Sequence, residues 1–170
     1  MPDNPEIIIG VDPGTNVTGY GIIIVESSSC SVLDFGCIRP PAHLKITDRY
    51  LIIYNSLEHL LDIHKPRVLA IETQFVHKNV QSAIKLGMAR GVVIVAAKRR
   101  GIAVVEYSPT RAKRAVSGNG HASKIQVQGM VQKLLNLESL PEPEDAADAL
   151  ALALCHAHSQ RFSQSLGVEI

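Results

Sequence analysis

Four carboxylates stand where their charge is hard to accommodate unless it does chemistry. Asp12 ends the run Ile7-Ile8-Ile9-Gly10-Val11, and Glu72 ends Val68-Leu69-Ala70-Ile71. Apolar, β-branched runs of this kind read as buried strands, and burying a bare charge is costly. Asp145 and Asp148 are three apart in an Ala- and Leu-rich stretch. That spacing puts both on one helix face, near a helix start where negative charge is favoured. Each acid alone has an ordinary reading. Asp12 can open the Pro13-Gly14 turn, Glu72 can pair with a buried arginine, and Asp145 and Asp148 can be helix-start charges. Together, four acids among apolar neighbours repel one another unless a cation joins them. Hard divalent cations take oxygen ligands. Two such ions ~4 Å apart can activate water and stabilise the leaving oxygen in phosphodiester hydrolysis.

No other constellation competes. The chain has no GxxxxGK[ST] loop and no GxSxG elbow. His156 and His158 are two apart on a helix and point to different sides, while His77 and His121 fall in loop-like stretches. Cys30, Cys37 and Cys155 are an odd number without a CxxC pair, so they read as small apolar residues rather than a disulfide or zinc framework.

The net charge of +1 argues for no particular partner, but its distribution does. Between Lys98 and Lys124 seven basic residues, among them Arg111, Lys113, Arg114 and Lys124, face the single acid Glu106. A basic strip beside an acidic metal site suits a polyanion. Lys98-Arg99-Arg100 reads as a solvated helix end; Arg111, Lys113, Arg114 and Lys124 flank a Gly-containing loop and are the better phosphate contacts. Phe75 lies in a loop-like stretch three residues beyond Glu72. It either stacks on an unpaired base or folds back on the core.

The elements that must position these groups follow from periodicity. A chain of 170 residues with 46% apolar and 19% charged residues is one ordinary domain able to bury a core. With aromatics at 4% and no Trp, that core is aliphatic. Strands are expected at 6–12, 17–25, 31–38, 67–72 and 102–107. Helices are expected at 46–64, 79–100, from Pro109 with Ser108 as cap, at 124–137 with Ser123 as cap, and at 145–159. Three strands without an intervening helix, then strand–helix alternation, predict an α/β fold with a mixed five-stranded sheet: antiparallel strands first, parallel strands after. The domain is expected to span 1–160, with 161–170 a polar tail that frays. No basic leader precedes the first apolar run, and no apolar stretch approaches the ~20 residues of a membrane span. The expectation is a soluble, cytoplasmic protein.

Five ordered blocks resemble the RuvC family of Holliday junction resolvases: IIIGVDPGTNVTGYGII at 7–23, LAIETQFVHKN at 69–79, SAIKLGMARGVVIVAA at 82–97, SKIQVQGMV at 123–131 and EDAADALALALCHAH at 144–158. The resemblance implies a ribonuclease-H-like fold and a homodimeric endonuclease that cuts two strands of a four-way DNA junction symmetrically. It implies Mg²⁺, with Mn²⁺ as a substitute, and nicks with 5′-phosphate and 3′-hydroxyl ends. The family's four acids fall on Asp12, Glu72, Asp145 and Asp148, its base-wedging aromatic on Phe75, and its DNA-contacting basic residues on Lys113 and Lys124. It also implies partnership with the RuvA and RuvB branch-migration complex. From the residues themselves, Ala83, Gly87, Ala89 and Gly91 interleave with Ile84, Met88 and Val92, a face that permits close packing against a second copy or against the chain's own sheet. A sugar-kinase-like ATPase also begins with a strand ending in Asp before Gly-Thr, but it needs two such domains, and no second Asp-Gly-Thr loop is present.

Overall fold

The computed structural model describes residues 4–27, 29–73 and 79–166, the last three of these by backbone alone. The elements run β1 Glu6–Asp12, β2 Thr18–Glu26, β3 Ser29–Ile38, α1 Ile46–His64, β4 Val68–Glu72, α2 Val80–Arg99, β5 Ala103–Tyr107, α3 Pro109–Ser117, α4 Lys124–Leu134 and α5 Glu144–Leu166. The sheet order is β3-β2-β1-β4-β5. β1 is antiparallel to β2 and parallel to β4; β2–β3 is antiparallel and β4–β5 parallel. Every expected element is present. Ser108 and Ser123 do cap α3 and α4, the latter through a reciprocal capping box with Gln126.

The period of two along β1 sorts its side chains to two faces. Ile9 and Val11 join Ile53, Leu57, Val93 and Ala96 in a core under α1 and α2. Ile8 joins Val127, Val131, Leu150 and Leu154 under α4 and α5. Gly10 and Asp12 share the parity of Ile8, so they face α5. In β4, Ala70 packs with Leu152 and Cys155 of α5, and Glu72 shares its parity. Both strand-end acids therefore point to the face that α5 covers.

That face is carved for close approach. Gly10 pairs with Gly21, and Asp12 pairs with Gly19. A Cβ at Gly10 would lie 1.9 Å from the Ala149 carbonyl oxygen, one at Gly19 2.0 Å from that of Asp145, and one at Gly21 2.6 Å from Leu150 Cγ. Ala146, Ala149 and Ala153 complete the contact from the helix and are fully buried.

Three expectations need correction. α5 continues to Leu166, so residues 160–166 are helical rather than frayed, while 167–170 of the expected tail lie outside the described residues; Gln160 donates to Glu6 Oε1. α4 ends at Leu134, three residues early. α2 is, by length and composition alone, apolar enough to cross a membrane, although one face of it packs on α1 and the sheet. All three cysteines are free; Cys155 is buried and the other two half-buried.

Behind the covered face Tyr107 Oη and His156 Nδ1 lie 2.7 Å apart. Burial, reinforced by Arg111, pushes the His156 pKa down from 6.5 to about 4. A histidine whose folded pKa is depressed adds stability that is present above pH 6.5 and lost as pH falls towards 4. Urea midpoints should fall across that window, with a contribution of about 1.4 kcal/mol per pH unit from this residue, and the fall should be shallower in His156→Gln. The glycine floor gives a second test. Gly10→Ala should lower Tm by about 5 °C or more through overpacking. Gly129→Ala in α4, where a Cβ meets nothing within 4 Å, should raise stability by about 0.5–1 kcal/mol.

Candidate active site

Asp12 is held by the turn that follows it. The Thr18 hydroxyl accepts from the Gly14 amide at 3.2 Å and donates to the Gly14 carbonyl at 2.9 Å. Arg49 of α1 donates to the Thr15 carbonyl and to Asn16 Oδ1, clamping the turn from the opposite layer. Glu72 ends β4 beside Tyr107 of β5, and the Thr73 amide continues the ladder to the Tyr107 carbonyl at 2.9 Å. The seating of α5 on Gly19 delivers Asp145 next to Asp12, and Asp148 follows one turn on.

Asp12, Glu72 and Asp148 line one cavity of about 290 Å³, together with Lys113 of α3 and Lys124 of α4. Asp145 does not line it; its backbone packs over Gly19, the sheet partner of Asp12. Burial raises the Asp12 pKa from 3.8 to about 7, and the charges of Glu72, Asp148 and Asp145 add to the rise while Lys124 opposes it. Burial also raises Glu72, with Asp148 adding and Lys113 and Lys124 opposing. Asp148 is raised by burial as well, against the pull of Lys124 and Lys113. Lys124 Nζ sits 3.1 Å from Glu144 Oε2 and 3.8 Å from Asp148 Oδ2, and its own pKa is raised, chiefly by the hydrogen bond to Glu144.

The acids thus share one electrostatic field. Among the described residues no three His, Cys, Asp or Glu side chains are gathered into a ready cage, as expected of like charges with only two lysines to separate them. Among the described residues that line the cavity, the metal-ligating groups are carboxylate oxygens in a partly desolvated pocket, which fits a hard divalent cation.

The basic residues divide. Lys113 and Lys124 reach the cavity; Arg111 and Arg114 do not line it. Arg111 lies over the Tyr107 ring at 4.9 Å and donates to Ser159 Oγ at 3.2 Å. Arg100, expected in a solvated helix end, instead pairs with Glu58 and Asp62 of α1, far from the acids in the fold. His158 Nδ1 lies 3.1 Å from the Ala115 carbonyl, so it and His156 do face different partners. His121 is exposed on a loop. Phe75 and His77 lie outside the described residues. Sequence reading missed Arg49, Thr18 and Glu144, whose partners lie far off in the chain or across a turn. The one available signal was that Glu144 opens the same helix as Asp145.

Residues 8–156 match the family model for RuvC, crossover junction endodeoxyribonuclease. A crossover junction endodeoxyribonuclease RuvC of Protochlamydia amoebophila is 59% identical over 95% of this chain and 96% of that protein. That of Ruminiclostridium cellulolyticum is 45% identical over 95% and 97%. The Thermus thermophilus RuvC in complex with a Holliday junction substrate superposes with a TM-score of 0.88 at 33% identity, over 93% of this chain and 96% of that one. The mixed sheet with its covering helices is therefore the ribonuclease-H-like architecture of these nucleases, which depend on metal. Sequence blocks, fold and the clustering of strand-end and helix-start acids agree, and the chain belongs to the RuvC family of crossover junction endodeoxyribonucleases.

Proposed function

We propose that this chain is a homodimeric endonuclease that resolves four-way DNA junctions by paired, symmetric, metal-dependent phosphodiester hydrolysis. The observation that carries the reading is the joining of Asp12, Glu72, Asp145 and Asp148 in one partly buried field with Lys113 and Lys124 at the rim. A site with this charge pattern takes divalent cations and a phosphate together, because each offsets the other. The Thermus relative was solved on a Holliday junction, which supports the same substrate here.

In this reading the four carboxylates hold two Mg²⁺ ions, for which Mn²⁺ substitutes. When bound, such ions activate a water and stabilise the departing 3′-oxygen. The chain's own residues do the remainder. The Thr18 and Arg49 contacts fix the Asp12 turn, so its carboxylate is pre-positioned rather than recruited. Lys113 and Lys124 neutralise the phosphate at the cavity rim. Arg111 and Arg114, which lie outside the cavity lining, contact flanking backbone, and Phe75 holds bases unstacked near the crossover. Cleavage leaves a 5′-phosphate and a 3′-hydroxyl. The protein works in the cytoplasm with the RuvA and RuvB branch-migration complex.

The dimer reading rests on α2. Ala89, Val93, Ala96 and Ala97 face the chain's own core, while Val80, Ile84, Met88 and Val95 are each more than half exposed. Gly87 and Gly91 open on the same side with nothing within 4 Å of a built Cβ. Such an apolar stripe with small residues suits a symmetric helix–helix contact.

Asp12→Asn should abolish cleavage of a synthetic four-way junction in Mg²⁺ while leaving junction binding in EDTA within about twofold. Because burial raises the Asp12 pKa to about 7, the carboxylate that is ionised at pH 8 destabilises the folded chain relative to the unfolded one, and the variant should also melt about 5 °C higher than wild type in EDTA at that pH. Retained cutting, or equal cutting of linear duplex by the wild type, contradicts the reading. For the dimer, Met88→Asp should shift the sedimentation coefficient from dimer to monomer and reduce paired cuts to single nicks; an unchanged sedimentation profile removes α2 as the contact.

A further inference from the structure

β4 is five residues long and Glu72 is its last. Burial and the charge of Asp148 both work against its ionised side chain. Its carbonyl oxygen accepts a hydrogen bond from outside the sheet: Arg90 of α2 donates Nε–H to it at 3.3 Å. The same guanidinium brings Nη2 to 2.7 Å from Glu106 Oε2 of β5, as an ion pair rather than an aligned hydrogen bond. The Arg90 side chain is only 20% exposed, although α2 is elsewhere open along one side.

One planar fork thus spans the ends of two neighbouring parallel strands. Arginine can do this because its donors diverge at fixed angles; a lysine ammonium on a flexible stem cannot satisfy both at once. Glu106 takes up the charge. Arg90 is not among the groups that shift the Glu72 carboxyl, whereas Lys113 and Lys124 are. Its hold on Glu72 is therefore through the backbone. The contact also closes the chain on itself: it ties α2, which follows the segment 74–78, to Glu72, two residues before that segment.

We propose that Arg90 is a positioning residue that sets where the Glu72 carboxylate stands for metal binding. This rests on the reading of Glu72 as a metal-holding acid. The helix that presents the open apolar stripe is the one that fixes Glu72.

The test uses the full chain with Arg90→Gln, Arg90→Lys, Glu72→Gln and the double variant Arg90→Gln/Glu72→Gln. Four quantities are read: Tm, Mn²⁺ affinity by calorimetry without DNA, junction affinity in EDTA, and single-turnover cleavage at saturating junction and Mg²⁺. Glu72→Gln should weaken Mn²⁺ binding and abolish cleavage; if it does neither, the reading of Glu72 fails, whatever Arg90 does. Given that loss, Arg90→Gln should weaken Mn²⁺ binding and slow cleavage by about tenfold each, with junction affinity within twofold. It should add nothing further to Mn²⁺ affinity in the Glu72→Gln background. Arg90→Lys restores a charge to Glu106, so it should recover Tm but not Mn²⁺ affinity, and it carries the test if Arg90→Gln does not fold. Mn²⁺ affinity and cleavage rate unchanged in Arg90→Gln, full recovery of both by Arg90→Lys, or additive losses in the double variant would each overturn the proposal.

Discussion

The depth to which α5 can settle on β1 and β2 governs everything at the acidic edge. Three glycines, Gly10, Gly19 and Gly21, form the floor, and each would place a Cβ within 2.6 Å of a helix atom. The helix answers with Ala146, Ala149 and Ala153. At Gly10 and Gly19 the approach is therefore backbone to backbone, while Leu150 fills the space over Gly21. A helix held off these positions by larger residues would carry its first-turn acids well away from the strand ends. Here Asp145 rests over the residue that pairs with Asp12. Packing geometry, rather than any local feature of the carboxylates, makes a cluster of groups 133 residues apart in the chain.

That cluster works against the fold that creates it. Asp12, Glu72 and Asp148 all have raised pKa values, with burial the first cause in each. Their ionised forms are disfavoured in the folded chain, and the large aliphatic core and the capping of α3 and α4 must offset that cost. Lys124 and Lys113 moderate it without removing it. Lys124 is itself shared with Glu144, which lies outside the predicted set of four acids. The rim cation is thus held by one carboxylate while it faces Asp148.

Much of this was legible in the sequence because it depended on local periodicity. Strand alternation, the two serine caps and the Asp145/Asp148 spacing are statements about neighbours in the chain, and the structure reproduces all of them. What was not legible depends on partners far apart. Arg49 reaches the Asp12 turn across 34 residues. Arg111 is a phosphate candidate by composition, yet Tyr107 and Ser159 occupy it from β5 and α5. Arg100 reads as a solvated helix end, yet Glu58 and Asp62 are brought to it by the packing of α1 alongside α2 in the same direction. The tail from Gln160 reads as polar and loose, but Gln160 finds Glu6 at the start of the chain. Charge content was readable; charge pairing was not.

The sheet separates two kinds of work, and β4 is where they meet. One face carries α5, α4 and α3 with the acids and rim lysines. The other carries α1 and α2, whose outer apolar stripe is the proposed contact with a second copy. Because β4 has α5 on one side and the α1–α2 layer on the other, Glu72 belongs to the first face by its side chain and to the second through the Arg90 bond to its carbonyl. A two-fold contact through α2 would then fix the spacing of two active sites and at the same time bear on one acid in each. Paired cutting asks for both properties together. Two sites on flexible tethers would nick independently, whereas sites anchored to the proposed joining helix would hold a fixed separation on the two strands they address.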